Sequence, residues 1–334
     1  MLHAVPRLRL AHLPTPLVQP RRLGASLGLD LWVKRDDMTG GPEAGNKIRK
    51  LELLLADAVG HGADTVITCG GLQSNHARAT AICAASLGLR AVLYLRVPDP
   101  EAPLPFDGNV LLDRMVGAEI RLITPAQYQD RDRIMADAAV AMRAEGRKAY
   151  VIPEGGSSGR GALGYVLAMA EIREQMDRGD AGDGAFDVIV HACSSGGTTA
   201  GIVLGAARSG VAREVRGMTV GNDAATSEAI VARVVAEARA IAPQLEDAAK
   251  LVIDDRARGP AYAVSTAEQR AVMVRVARES GLLLDPVYTG KAFAGLVGMV
   301  DRGELPKGAR VLFLHTGGLP GLLAQGETFA GEVG

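Results

Sequence analysis

The sequence predicts an α/β protein whose parallel, twisted sheets are flanked by helices. From Leu31 onward, short apolar or β-branched runs alternate with longer stretches of helical period. Strands separated by helices in this way pair in parallel through right-handed crossovers. At roughly 150 residues per domain, the 334 residues predict about two domains or one large α/β unit.

The elements follow in order. Residues 31–34 read as a strand, and Ile48, Leu51, Leu55 and Ala58 put one apolar stripe on a helix that stops at Gly60 and Gly62. Then come strand 65–68, a helix over about 75–87 closed by Gly88, strand 91–95, a helix around 109–115, strand 119–123, helix 131–145 ending at Gly146, and strand 149–152. The rhythm repeats with helix 162–176, strand 187–191, helix 199–208, strand 215–220 and helix 226–240. Helices 266–280 and 290–300, strand 310–315 and a terminal helix complete the chain. Residues 178–185, rich in Gly and Asp, read as an exposed loop.

Composition excludes several functions. Lys plus Arg number 37 and Asp plus Glu 38, a formal charge of −1 that gives no electrostatic reason to expect a nucleic acid or an anionic membrane as partner. Five Phe, six Tyr and one Trp are too few for stacking platforms under bases. Cys69, Cys83 and Cys193 are widely spaced and form no CxxC pair, so they predict neither a disulfide framework nor a metal site. Residues 1–13 never reach an apolar run of signal-peptide length, and no window approaches a membrane span, so a cytoplasmic protein is expected.

The 41 glycines mark four junctions between strand and helix. The first, Gly40 to Lys47, nearly fits a Walker A loop, but Asn46 takes the lysine position and Ile48 stands where a Mg²⁺-binding hydroxyl is required. What remains is Lys47 at a helix start, with Arg49 and Lys50 beside it to lower its pKa toward the neutral amine that Schiff-base chemistry needs. The second, Gly70 to His76, offers free N–H groups with Ser74 and Asn75, which suits a carboxylate or simply an N-cap. The third, Gly155 to Gly164, contains a literal GxGxxG. The acidic residue a dinucleotide site needs after the next strand is missing, because Asp180 and Asp183 fall before that strand. The fourth, Ser194 to Gly201, places Ser195, Gly196, Gly197, Thr198 and Thr199 where N–H and hydroxyl groups can close around a phosphate. A lysine, a carboxylate loop and a phosphate loop together suit pyridoxal 5′-phosphate working on an amino acid.

Further segments carry a resemblance: His12-Leu13-Pro14-Thr15-Pro16-Leu17, Lys34-Arg35-Asp36-Asp37, Gly45-Asn46-Lys47, Arg49-Lys50-Leu51-Glu52, Gln73-Ser74-Asn75-His76, Leu284-Asp285-Pro286-Val287-Tyr288-Thr289-Gly290-Lys291 and His315-Thr316-Gly317-Gly318. Through these the chain resembles the fold-type II pyridoxal-phosphate enzymes, of tryptophan synthase β-like fold. Within them it resembles the branch of D-cysteine desulfhydrases and 1-aminocyclopropane-1-carboxylate deaminases. The resemblance implies a Schiff base on Lys47 and a phosphate held by Lys50 and residues 195–199. It implies cofactor contacts from Asn75, Thr289 and Thr316, and a substrate carboxylate received by Ser74, Asn75 and His76. Tyr262 and Tyr288 match the family's pocket tyrosines, and Tyr288 or Ser74 would assist Lys47 in catalysis.

Ring-opening deaminases carry Glu where this chain has Thr289, and a hydroxyl leaves the cofactor a weaker electron sink, which suits β-elimination. His76, in place of the deaminases' Gln, points the same way. The expectation is therefore a D-cysteine desulfhydrase releasing sulfide, ammonia and pyruvate. The competing readings are a 1-aminocyclopropane-1-carboxylate deaminase, a lyase for cysteate or another β-substituted amino acid, a non-catalytic cofactor carrier, and, last, a nicotinamide dehydrogenase. Glu43 and Glu154 depart from the family pattern and would alter the substrate if they faced the pocket. The resemblance also implies a homodimer, and a small domain over residues 51–158 inserted into a large one formed by 1–50 and 159–334.

Overall fold

The computed structural model describes residues 5–182 and 184–334. Residues 1–4 of the amino-terminal segment and Asp183 lie outside the described residues. The strands in chain order are β1 (Leu17–Val18), β2 (Asp30–Arg35), β3 (Thr65–Gly71), β4 (Arg90–Arg96), β5 (Glu119–Ile123), β6 (Ala149–Val151), β7 (Phe186–Cys193), β8 (Ala212–Thr219), β9 (Lys250–Asp254) and β10 (Arg310–His315). They form a six-stranded sheet of order β1-β2-β10-β7-β8-β9 and a four-stranded sheet of order β5-β4-β3-β6. Every pairing is parallel except that of β1 with β2. The smaller sheet comes from one continuous stretch of chain lying between the two stretches that build the larger.

The helices are α1 (Arg21–Leu27), α2 (Lys47–Gly60), α3 (Asn75–Ser86), α4 (Gly108–Met115), α5 (Pro125–Gln129), α6 (Arg131–Ala144), α7 (Gly159–Asp177), α8 (Gly197–Ser209), α9 (Ala224–Ile241), α10 (Ala267–Ser280), α11 (Thr289–Asp301), α12 (Leu319–Leu323) and α13 (Ala330–Val333). Four elements go beyond the sequence expectation: β1, α1, α5 and β9. Each is short. The capping residue of α1, Pro20, makes no side-chain hydrogen bond, and β9 is a half-buried edge strand. The single terminal helix expected is instead the two short helices α12 and α13.

Each sheet is covered on both faces, as parallel strands require. One side of the large sheet packs Leu163, Met169, Ile189 and Ile202 with α7, α8 and α9. The other packs Leu31, Val33, Phe293 and Phe313 with α1, α10 and α11. Helix α2 serves two cores, since Leu53 joins the first of these while Ile48, Leu51, Leu54 and Leu55 join Val66, Leu93 and Ile152 over the small sheet. Each such leucine removed from water stabilises the fold by about 1.5–3 kcal/mol. The carboxyl ends of β3, β7 and β10 and the start of α2 consequently meet in one place.

The glycines of the GxGxxG stretch sit in the first turns of α7 and serve close packing. A Cβ on Gly159 would meet the backbone of Glu237 and Ala238 in α9, and one on Gly164 would meet the backbone of Arg49 and Lys50 in α2. All three cysteines are buried and free, and no helix among the described residues is long and apolar enough to cross a membrane.

Candidate active site

Lys47 is the first residue of α2, and the loop before it is fixed at several points. Gly45 has φ +126°, a left-handed conformation that favours glycine, and a Cβ there would lie 2.9 Å from the Thr316 carbonyl oxygen. Its N–H donates to Thr39 Oγ1 at 2.8 Å, and the Asn46 N–H donates to the Thr316 carbonyl at 3.1 Å. Lys47 itself is half-buried. Burial lowers its pKa to about 8 against the opposing pull of Glu154.

Two cavities share Lys47, Ser194, Ser195 and Tyr288 in their walls. The first is also lined by Asn46, Lys50, Asn75, Gly196, Thr198, Thr199 and Thr316. Strand β7 delivers this loop, and Gly196 at φ 80° turns it into α8, whose amino-terminal N–H groups favour an anion. Lys50 is 1% exposed. Its Nζ donates to the Gly155 carbonyl at 3.1 Å and Ser157 Oγ at 3.3 Å, with no carboxylate beside it. Burial, and then Lys47, hold its pKa well below the ordinary lysine value. Ser157 Oγ also meets Ser195 Oγ at 2.8 Å, and Asn46 Nδ2 donates to Thr198 Oγ1 at 3.1 Å. Among the described residues Thr199 Oγ1 is buried with no hydrogen-bond partner.

A phosphate monoester fits this lobe. It would give two amines that lack a bonded acid their counter-charge and Thr199 a partner, at a loop where a Cβ on Gly197 would crowd Lys50 Nζ at 3.0 Å. An aldehyde on the same molecule would meet Lys47. Pyridoxal 5′-phosphate has both groups.

The second cavity lies on the other side of Lys47 and is lined by Gly70, Gly71, Ser74, His76, Glu154, Gly155 and Tyr262 as well. Ser74 caps α3, its Oγ accepting from the Ala77 N–H at 3.2 Å while still lining the wall, so the cap and the binding surface are one residue. Asn75, the next residue, lines the first cavity instead: its Oδ1 accepts from Asn109 Nδ2 at 3.2 Å and from Arg78 Nη2 at 3.5 Å, which leaves its amide nitrogen for that cavity. His76 Nε2 lies 2.9 Å from Thr68 Oγ1. Burial, Lys47 and Lys50 push its pKa well down, so the ring is neutral. The Tyr262 and Tyr288 hydroxyls meet at 2.5 Å. Burial pushes Tyr262 up to about 12 and Tyr288 well above its ordinary value, so both phenols hold their protons.

Two expected site residues, Gly197 and Thr289, line neither cavity, Gly197 being the buried first residue of α8. Thr289 is fully buried, its hydroxyl donating to Asp285 Oδ1 at 2.7 Å and accepting from the Asp285 N–H at 2.8 Å. Thr316, by contrast, lines the first cavity. Of the two atypical acids, Glu43 folds back on its own turn to accept from the Gly41 N–H at 3.1 Å, whereas Glu154 faces the cavity and pairs with Arg131 at 3.1 Å. Asn46, Ser157, Arg78 and Asn109 escaped the sequence reading. Arg78 and Asn109 show a signal only through their helical spacing around Asn75 and α4, whereas Asn46 directly precedes the lysine.

Residues 8–317 match the family of pyridoxal-phosphate dependent enzymes. A putative 1-aminocyclopropane-1-carboxylate deaminase of Thermotoga maritima is 41% identical over 96% of this chain and 98% of its own. The bifunctional D-cysteine desulfhydrase/1-aminocyclopropane-1-carboxylate deaminase, mitochondrial, of Arabidopsis thaliana is 41% identical over 97% of this chain and 81% of its own. D-cysteine desulfhydrase of Serratia proteamaculans is 39% identical over 96% of each. A crystal structure of a 1-aminocyclopropane-1-carboxylate deaminase homologue superposes with a TM-score of 0.88 at 37% identity, covering 99% of this chain and 98% of the other. The amine shared by these two cavities thus has its explanation in descent: the chain belongs to the pyridoxal-phosphate dependent enzymes.

Proposed function

We propose that the protein is a carbon–sulfur lyase that eliminates the β-substituent of a small amino acid, with D-cysteine as the substrate and sulfide, ammonia and pyruvate as products. The observation that carries this reading is Lys47, lowered to about 8 and set between a lobe lined by Lys50, Ser195, Gly196 and Thr198 and a lobe of hydroxyls and phenols. The cofactor, when bound, supplies the electron sink for the pair left at Cα. Ser74, Asn75 and neutral His76 receive the substrate carboxylate, and neutral Lys47 takes the Cα proton. Tyr262 and Tyr288, still protonated, donate toward the departing sulfur. Among the described residues no acid lines the lobe that holds Lys50, Asn75 and Thr316, so nothing there stabilises a long-lived carbanion through a protonated ring. That favours elimination.

Lys47 as the Schiff-base residue, the phosphate contacts of Lys50 and Ser195 to Thr199, the small domain at 51–158 within a large one, a homodimer and a cytoplasmic location belong to the same proposal. A second reading, 1-aminocyclopropane-1-carboxylate deaminase, is favoured by the names of two of the relatives. Measuring sulfide, pyruvate and 2-oxobutyrate from D-cysteine, L-cysteine, cysteate and 1-aminocyclopropane-1-carboxylate separates the two. Sulfide and pyruvate from D-cysteine are expected, and 2-oxobutyrate as the main product would transfer the proposal to the deaminase. Lys47→Ala is expected to abolish both turnover and the cofactor's visible absorbance band. A band unchanged in that variant would remove Lys47 from its role.

A further inference from the structure

Beyond the second cavity lies a wider vestibule that shares Gly71, Glu154, Ser194, Ser195 and Tyr262 with it. Arg96, the last residue of β4, lines this vestibule and stands opposite Gly71 of β3 in the strand register. Its guanidinium carbon lies 4.8 Å from the Tyr128 ring centroid and 5.5 Å from that of Tyr262, so two aromatic faces hold the group in place. Among the described residues it has no hydrogen-bond or ion-pair partner. Of the other charges lining the vestibule, Arg131 pairs with Glu154 at 3.1 Å and Arg233 with Glu237, while Asp132 is exposed to solvent at the start of α6. A fixed, part-buried guanidinium without a counter-ion, at the mouth of a substrate lobe, is a receptor for a carboxylate or sulfonate.

We infer that Arg96 forms an outer anion subsite that binds an acidic group carried on the substrate's leaving group, extending the substrate class from cysteine to S-substituted cysteines with a distal acid. The inference rests on the β-elimination proposed above. In S-(carboxymethyl)cysteine the Cβ–S bond would break and mercaptoacetate leave with the bonding pair, taking a proton to become the thiol. Water then completes the conversion of the remainder to pyruvate and ammonia. Glu154, neutralised by Arg131, sits along the path without opposing the acid as a bare charge would.

The test compares S-(carboxymethyl)cysteine with its neutral isostere S-(carbamoylmethyl)cysteine, both enantiomers, on the holoenzyme. Perturbation of the cofactor's absorbance gives Kd and pyruvate release gives kcat/KM. The acid is expected to bind about tenfold more tightly than the amide, the usual worth of one charge-assisted pair. Arg96→Gln should bring that ratio to about one while leaving D-cysteine turnover within about twofold, and Arg96→Lys should retain part of the preference. Equal affinities in the wild-type enzyme, or a preference that survives Arg96→Gln in a variant retaining the cofactor band, would overturn the subsite. If neither compound nor D-cysteine yields pyruvate, the elimination reading fails, and the ratio of Kd values still decides the role of Arg96.

Discussion

At the scale of single residues, the site depends on an amine that is neutral enough to react. An ordinary lysine, near 10.5, would be almost wholly protonated at neutral pH, whereas Lys47 at about 8 leaves roughly a tenth of its amine neutral at pH 7. The rate at which the cofactor-free protein captures pyridoxal phosphate should therefore rise about tenfold per pH unit below 8 and level off above it. Stopped-flow absorbance across pH 6–10 measures this, and a rate still climbing at pH 10 would show that burial does not lower the amine. Lys47, Lys50 and the 195–199 loop were legible in the sequence because each stands where a helix begins, and helix starts bind anions through their own backbone. For Thr289 the cofactor contact is implied only by the family resemblance at the position after Tyr288. The first turn of a helix sends consecutive side chains in different directions, so Tyr288 points into the cavity while Thr289 bonds Asp285. Arg96 was invisible for a related reason, since nothing local marks a strand's last arginine as lying between two tyrosines that arrive from distant segments.

At the scale of elements, hydrophobic period located the long helices and the buried strands, and failed for the short pieces whose stability comes from neighbours. Helix α1 has only 7 residues and β9 only 5, and each is held by packing against the large sheet's own elements. The glycines of α7 illustrate the limit from the other side, since the spacing that resembles a nucleotide loop is a surface for backbone-to-backbone contact. At Gly164 an added Cβ would overlap the Arg49 carbonyl oxygen and lie 2.7 Å from its carbon and 3.1 Å from the Lys50 nitrogen. Backbone cannot move aside as a flexible side chain can, so Gly164→Ala must push α7 away from the turn that carries Lys47 and Lys50. The expected result is a stability loss of about 1–3 kcal/mol, accompanied by weaker cofactor binding. Gly60→Ala, at the far end of α2 with nothing within 4 Å of the added methyl, should be neutral or slightly stabilising. Urea unfolding and cofactor titration of the two variants check this; equal behaviour would show that the α2–α7 approach does not set the lysine's position.

At the scale of the whole molecule, the amino-terminal segment, β2, α2 and α7 are tied by one buried polar network. Arg49 Nη2 donates to Asp36 Oδ1 at 2.8 Å and Glu171 Oε1 at 2.9 Å, and Tyr165 donates to Asp36 Oδ2 at 2.6 Å. Lys34 Nζ donates to Glu171 Oε1 at 2.5 Å, Gln175 Oε1 at 2.6 Å and the Thr15 carbonyl at 2.7 Å. Burial alone would raise the two carboxyls, but Arg49 and Lys34 draw Asp36 below its ordinary 3.8 and Glu171 below its ordinary 4.5. A carboxyl lowered in the folded state stabilises fully above its unfolded pKa and loses that contribution as pH falls through the folded value. Burial lowers Lys34 as well, from 10.5. In the unfolded chain its proton is bound up to a higher pH, so stability from this group rises only in the alkaline range and leaves the acid limb to the carboxyls. Thermal stability should thus be level with respect to these two carboxyls down to about pH 5 and fall steeply below. Glu171→Gln, which leaves Lys34 and part of Arg49 buried without their acid, should cost about 3 kcal/mol at pH 7. The same variant should flatten the acid limb, because one of the two titrating groups is gone. Calorimetric Tm values from pH 3 to 8 for both proteins decide the point: parallel acid limbs would mean that these elements are held together by packing rather than by charge.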